Sequence, residues 1–154
     1  MSGKLYGLLT FSIVNAEYED LDGIWRSRAI ETKSMFAAEL GYKPSNVWEF
    51  NVRFSYASGR PYTPVDYQRS ALLGSTIWKV DEINAENLPD HVNLSARADK
   101  RFHFSGSNMT IYVSIWNLFD RKNVSFQGYS EYHITPVNYN LISIIPVFGI
   151  EYEF

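Results

Sequence analysis

Apolar and polar residues alternate with a period of two along several segments of the chain, which predicts β-strands. The clearest alternation runs over 47–58. Its apolar face carries Trp48, Phe50, Val52, Phe54 and Tyr56, and its other face carries Glu49, Asn51, Arg53 and Ser55. Rings lie at both ends of the apolar face with a smaller residue between them, as in strands that face lipid. A strand half-buried in a soluble sandwich would alternate equally well, without rings preferring its ends.

The same period predicts five further strands, over 5–14, 29–41, 91–104, 109–116 and 147–154. The segment 29–41 also contains Ala, Glu, Leu and Met, so a helix is an alternative there. Lys100 breaks the apolar face of the 91–104 strand. A lysine facing lipid costs about 2–4 kcal/mol at the bilayer midplane and little near its surface. We therefore expect Lys100 toward a membrane edge or beside a bulge.

Short and long connections alternate along this series of strands. Short turns are predicted at 43–46 and 105–108, and long loops follow the first strand and occupy 59–90 and about 119–138. Short turns at one rim and long loops at the other are typical of an outer-membrane barrel wall. Strands of about ten residues cross a bilayer when they are tilted.

The last strand ends the sequence on an aromatic residue, with Phe148, Ile150, Tyr152 and Phe154 on one face. Gly149, Tyr152 and Phe154 resemble the C-terminal signal of bacterial outer-membrane barrels, which the barrel-assembly machinery reads. An ordinary last strand of a soluble sheet is the alternative for this segment alone.

Composition excludes several classes of function. A net charge of −3 argues against a nucleic-acid partner. The absence of cysteine excludes disulfides, thiolate metal sites and cysteine nucleophiles. The sequence contains no run of about 18 apolar residues, so it predicts no transmembrane helix. Met1 leads directly into a patterned segment without a signal peptide, so we expect that the chain lacks its true N-terminus, because an outer-membrane protein must be exported.

Several motifs carry a resemblance to a known family. They are Ser2-Gly3-Lys4-Leu5-Tyr6-Gly7, Gly41-Tyr42-Lys43, Ser58-Gly59-Arg60-Pro61-Tyr62-Thr63-Pro64, the segment 94–102, Asn117-Leu118-Phe119-Asp120-Arg121-Lys122-Asn123 and the segment 145–154. Over nearly its whole length the chain resembles the C-terminal barrel portion of TonB-dependent outer-membrane receptors of Bacteroidetes-like sequence. Ser95 stands where the family usually has Asp, and His91 where it often has Tyr.

This resemblance implies a fold and a role. The fold is all-β, with residues 1–154 forming the last six strands of an antiparallel transmembrane barrel of 22 strands in the outer membrane of a Gram-negative bacterium. The complete receptor takes up a scarce nutrient: a ferric siderophore, cobalamin, haem or an oligosaccharide. The implied partners are outer-membrane lipid, the plug domain and the rest of the barrel, the barrel-assembly machinery, and the TonB complex through the missing N-terminal part.

Candidate site residues follow from the predicted strands and loops. Candidate ligand contacts on extracellular loops are Arg60, Tyr62, Tyr67, Trp78 and Tyr132. Candidate lumen-facing residues that could contact the plug are Arg97, Asp99, Arg101 and His103, with a hydrated barrel interior as the alternative. The three histidines, His91, His103 and His133, are dispersed. We predict no catalytic site, metal site or cofactor, because no motif such as H-E-x-x-H is present.

Two other interpretations of the whole chain remain open at the level of sequence. One is a soluble β-sandwich that binds a glycan or a protein through its aromatic residues. The other is a complete small outer-membrane barrel with further strands within 59–90. The acidic segment 17–22 could bind calcium but lacks the glycine and closing glutamate of a calcium loop, which favours a solvated loop.

Overall fold

The computed structural model describes residues 4–130, 132 and 135–154. In chain order the elements are β1 (Leu5–Ile13), β2 (Glu17–Glu19), β3 (Trp25–Ser27), β4 (Ser34–Tyr42), β5 (Trp48–Ala57), β6 (Pro61–Tyr62), α1 (Tyr67–Leu73), β7 (Glu86–Asn87), β8 (His91–Phe104), β9 (Ser107–Trp116), β10 (Val124–Ser130), β11 (Thr135–Asn140) and β12 (Ile145–Glu153). The fold is all-β, as the alternation predicts.

One antiparallel sheet of six strands organises the molecule, in the order β1-β4-β5-β8-β9-β12. Every sheet strand pairs with its neighbour along this order, and in the described part of the chain β1 does not pair with β12. The sheet is therefore open rather than a closed barrel. Two of its connections are short and three are long, in the alternation that the sequence predicts.

The predicted strand positions agree closely with the observed ones, and β8 has the predicted bounds. The helix alternative for 29–41 is wrong, because this segment forms β4 and its backbone bonds to β1 and β5. The strand begins at Ser34 rather than at residue 29, since a turn in which the Glu31 amide donates to the Arg28 carbonyl precedes it. The second short turn is Ser105-Gly106, where Gly106 has a φ of 88°.

The long loops contain short elements that the sequence does not predict. The first holds the β2–β3 hairpin, the second holds α1 and the two-residue β6–β7 pair, and the third holds the β10–β11 hairpin. Residues 59–90 add no strand to the main sheet. No helix among the described residues is long and apolar enough to span a membrane.

The register brings the apolar residues of all six strands to one face. Rings lie near the strand ends at the short turns: Tyr42, Trp48, Phe50, Phe102, Phe104 and Tyr152. A second group lies nearer the ends at the long loops: Phe11, Phe36, Phe54 and Tyr56. Phe148 lies opposite Val113, toward the middle of the sheet. Smaller residues occupy the middle: Leu9, Ala38, Leu40, Val52, Ala96, Ala98, Val113 and Ile150. Rings thus lie at both strand ends on β4 and β5, whereas β8 has rings only at its short-turn end and the apolar face of β9 has none.

This apolar face is uncovered. Leu9 is 73% exposed and Ile150 is 70% exposed. Among the described residues the buried hydrophobic side chains are Val65, Leu88 and Tyr129, all outside the six-stranded sheet. The other sheets have two strands each, so no second sheet of comparable size packs on the first. The described chain consequently has no hydrophobic core on either side of its main sheet.

Candidate functional site

The row of predicted lumen-facing residues on β8 lies on the polar face, and two of them, Arg97 and Asp99, pair with each other. Arg97 binds Asp99 through two nitrogens, with the shortest contact between Nη2 and Oδ1 at 2.6 Å. The Arg97 guanidinium also lies 3.8 Å from the centre of the Tyr112 ring. Asp99 is buried although it stands on a face without a protein cover. This pair forms one half of a polar network over the sheet.

The other half of this network connects β5, β8 and β9 with β1. Arg101 Nη2 donates to Glu49 Oε2 at 2.6 Å. The Tyr6 hydroxyl donates to the second Glu49 oxygen and lies 3.0 Å from Asn51 Oδ1. At the short-turn rim, His103 Nδ1 lies 2.8 Å from Asn108 Oδ1. All four predicted lumen-facing residues therefore share one face, and three of them form ion pairs on it.

Two glycines on this face leave room for tyrosine rings. A Cβ at Gly149 would fall within the ring of Tyr112, and a Cβ at Gly41 would fall within the ring of Tyr6. These tyrosines carry the two halves of the polar network described above. Gly149, predicted as part of a C-terminal signal, thus has a packing role in the folded sheet. Tyr152 and Phe154 belong to the apolar side, with ring centres 6.4 Å apart, and the Tyr152 hydroxyl donates to Ser107 Oγ at 2.9 Å.

Three of the five predicted loop residues come together in one groove. Arg60, Tyr62 and Trp78 line a cavity of about 180 Å³ with Phe126 and Gln127 of the third loop. A wider cavity of about 460 Å³ continues from it past Tyr62 and Trp78. The Tyr62 hydroxyl donates to Glu86 Oε2 at 2.5 Å. Burial, followed by this bond to Glu86, raises the pKa of the Tyr62 phenol, which keeps it protonated as a donor.

The other two predicted loop residues lie outside that groove. Tyr67 begins α1 and is half exposed. Tyr132 lies in the turn between β10 and β11 and is 89% exposed. His133, one of the three histidines, lies outside the described residues. What the groove offers a ligand is therefore the rings of Tyr62, Trp78 and Phe126 and the Arg60 guanidinium. Arg60 also donates to the Ser125 carbonyl at 3.2 Å.

The Gly-Arg-Pro-Tyr-Thr-Pro motif closes the neck of the second loop. The Gly59 amide donates to Asp90 Oδ1 at 3.0 Å, and the Tyr56 hydroxyl donates to the other Asp90 oxygen at 3.0 Å. A Cβ at Gly59 would collide with the Leu88 carbonyl. The glycine is required because the two ends of the loop approach closely. Asp90 is the residue that sequence analysis missed at this neck.

The Asn-Leu-Phe-Asp-Arg-Lys-Asn motif closes the third loop. Asn117 has a φ of 54°, and its side-chain amide bonds both the carbonyl and the amide of Arg121. The Asn123 side chain accepts from the Val92 amide at 3.0 Å and donates to the Val92 carbonyl at 2.9 Å. Asn117 is the signal that could have identified this cap, since asparagine tolerates positive φ.

The acidic segment of the first loop carries its own counter-ion. Arg26 pairs with Asp20 at 3.0 Å and with Asp22 at 2.6 Å. The Arg26 hydrogen bonds lower the pKa of Asp22 to about 2. In the part of the chain that the structure describes, no three His, Cys, Asp or Glu residues lie close enough to hold a metal ion. Both carboxylates are thus committed to the arginine of their own hairpin.

Comparison of the chain with protein-family models found no match, and comparisons with curated proteins and with solved structures found none. The family resemblance therefore remains an interpretation of the motifs in the sequence.

Proposed function

We propose that this chain is the C-terminal part of the barrel of a TonB-dependent outer-membrane receptor. The observation that carries the proposal is the uncovered apolar face, which on β4 and β5 has rings toward both strand ends and aliphatic residues between them. Lipid is the medium that such a face fits, because amphipathic rings prefer the membrane interfaces and aliphatic residues prefer the hydrocarbon between them.

The opposite face fits a barrel interior. Its charges include the Arg101–Glu49 ion pair between two strands and the Arg97–Asp99 pair along β8, while Arg53, Glu151 and Glu153 are exposed. In the proposed receptor this face meets the plug and the water around it. The three long loops then lie on the extracellular side, where the groove of Arg60, Tyr62 and Trp78 contributes to binding of the transported nutrient.

The free edges of β1 and β12 specify where the rest of the barrel joins. An unpaired strand edge is unfavourable in hydrocarbon, because each exposed amide and carbonyl there costs several kcal/mol. The remaining strands of the receptor pair with these two edges, and the barrel-assembly machinery guides the closure from the C-terminal strand. Uptake then depends on the TonB complex, which acts through the plug rather than through this chain.

Fractionation of the source cells tests the location of the protein. An antibody raised against these residues is used to probe the outer-membrane, inner-membrane and soluble fractions, each with and without boiling. We expect a band in the outer-membrane fraction that changes mobility on boiling, as folded barrels do. A band confined to the soluble fraction would refute the proposal.

Two single-cysteine variants of β5 test which face meets lipid. The chain has no cysteine of its own, so one introduced thiol is a unique site for a spin label. Val52→Cys places the label on the apolar face, and Asn51→Cys places it one residue away on the polar face. In membranes we expect the label at 52 to collide mainly with dissolved oxygen and the label at 51 mainly with a water-soluble nickel complex. Equal access of the nickel complex to both labels would contradict the proposed orientation.

A further inference from the structure

Lys100 is the one charged residue on the apolar face of the six described sheet strands. It lies opposite Trp48, the first residue of β5, and opposite Ile111 on β9. The register continues without a shift on both sides, so no bulge turns its side chain to the polar face. Lys100 therefore lies toward the short-turn end of the sheet, on the uncovered side.

Two aromatic rings flank the ammonium group. Lys100 Nζ lies 5.2 Å from the centre of the Trp48 ring and 5.1 Å from the centre of the Phe102 ring. The Trp48 ring is itself stacked on Phe50, with 4° between the ring planes. These contacts fix the position of the cation at the sheet surface, because each ring face attracts positive charge.

The described residues supply no ion-pair partner for this cation. Within the described residues, none of the ion pairs includes Lys100. The nearby carboxylates, Glu49 and Asp99, point to the other face, where Arg101 and Arg97 bind them. An ammonium group between two rings, on a face made for lipid, needs an anion from outside the chain.

We propose that Lys100, between Trp48 and Phe102, binds the phosphate of an anionic phospholipid in the leaflet at the short-turn rim. This inference rests on the proposed function, because it assumes that the apolar face meets a bilayer. The chemistry matches, since tryptophan and lysine both prefer the headgroup level, and a lysine there attracts anionic lipid. The lipid chains would then cover the apolar residues beside the rings.

Quenching of Trp48 fluorescence by brominated lipids tests the site. The full chain is used with Trp25, Trp78 and Trp116 replaced by Phe, so that Trp48 is the single reporter. It is refolded into phosphatidylcholine vesicles that contain a minor fraction of brominated phosphatidylglycerol or of brominated phosphatidylcholine. We expect phosphatidylglycerol to be preferred about fivefold beside Trp48, which corresponds to about 1 kcal/mol per lysine at an anionic surface.

Three variants attribute the preference to Lys100. In Lys100→Gln the preference should disappear, while Lys100→Arg, which keeps the positive charge, should retain it. Lys122→Gln makes the same charge change in the third loop, beyond the opposite end of β9, and should also retain it. Circular dichroism of each variant verifies that the strand content is unchanged.

The outcomes separate this inference from the proposed function. Quenching of Trp48 that is equal for the two lipids would overturn the headgroup site while leaving the membrane-facing surface in place. A preference that persists in Lys100→Gln would overturn the site as well. No quenching by either lipid would mean that Trp48 does not contact a bilayer, and both proposals would then fail.

Discussion

Two tyrosines on the polar face occupy space that only glycine leaves open. Tyr112 lies over Gly149 and Tyr6 lies over Gly41, and neither glycine has a positive φ. Glycine within a strand costs backbone entropy and contributes no side chain to packing. The ring from the neighbouring strand restores that packing, so the glycine is needed for its missing Cβ rather than for its conformational freedom.

Gly149→Ala tests this explanation directly. The added methyl would displace the Tyr112 ring, and we expect a loss of about 1–3 kcal/mol in the free energy of unfolding, as for other overpacked sites. The measurement is urea unfolding of the chain refolded in detergent micelles. In a Tyr112→Ala background the space is vacant, so the same substitution should cost much less. An equal loss in both backgrounds would show that the ring is not the reason for the glycine.

The carboxylate of Asp22 should titrate far from its ordinary range. Its pKa is lowered from 3.8 to about 2, first by the hydrogen bonds from Arg26 and then by the Ile24 amide. Because the folded pKa lies below the unfolded one, the pair stabilises the β2–β3 hairpin above pH 3.8, and this contribution is lost as the pH falls through about 2. NMR titration of the Asp22 carboxyl carbon measures the pKa.

Two substitutions of Arg26 test the cause of that shift. Arg26→Gln should return the Asp22 pKa toward its ordinary value. Arg26→Lys should return it only partly, because lysine keeps the charge but loses the two-pronged geometry. An Asp22 pKa that stays near 2 in Arg26→Gln would assign the shift to the backbone instead. Lys79→Gln is the control, because it removes a cation from the second loop, and the Asp22 pKa should not change in this variant.

Among the secondary-structure elements, period-two alternation was sufficient to locate the strands that have one apolar and one polar face. It predicts β8 with its observed bounds and places the lumen-facing candidates on one side of the sheet. The segment 29–41 shows its limit, because alternation continues into a turn and composition favours a helix. Pairing of β4 with strands on both sides decides this segment, and single-sequence propensity contains no information on such pairing.

The loops were less predictable because their structure depends on contacts between distant residues. Strands of two or three residues, such as β2 and β6, are too short to show a period. The groove brings Arg60 of the second loop to Ser125 of the third, a contact that spacing along the chain cannot indicate. The motifs at both loop necks carried the family resemblance, and their contacts form a cap and a clamp, while Arg60 and Tyr62 of the first motif also line the groove.

Asp90→Ala should loosen the neck of the second loop. The substitution removes two hydrogen bonds, from the Gly59 amide and the Tyr56 hydroxyl, each of which contributes about 1 kcal/mol. Proteolysis within 59–90 under native conditions should therefore accelerate by roughly 5–30-fold. Asp81→Ala removes a carboxylate from the same loop away from the neck, and its cleavage rate should remain near that of the unaltered chain. Equal acceleration by both variants would contradict the clamp.

At the scale of the whole molecule, the described chain lacks what a small soluble domain needs. A soluble sheet buries one face against another layer of structure, and here no layer of comparable size is present among the described residues. The exposed apolar face is continuous across six strands, which is far beyond the scattered apolar residues normal at a protein surface. The stability of the sheet must therefore depend on a medium or a partner outside the chain.

The effect of a charge introduced at the centre of the apolar face shows whether lipid or water covers that face. Val52 lies midway along β5 and Asn51 is its neighbour on the polar face. If lipid covers the apolar face, Val52→Arg should lower the free energy of unfolding in vesicles by about 2–4 kcal/mol, while Asn51→Arg should change it little. Lys100 is tolerated on the same face because it lies toward the rim, so the cost is expected to depend on depth. Urea unfolding in lipid vesicles gives both values, and a small, equal effect of the two arginines would mean that water rather than lipid covers the apolar face.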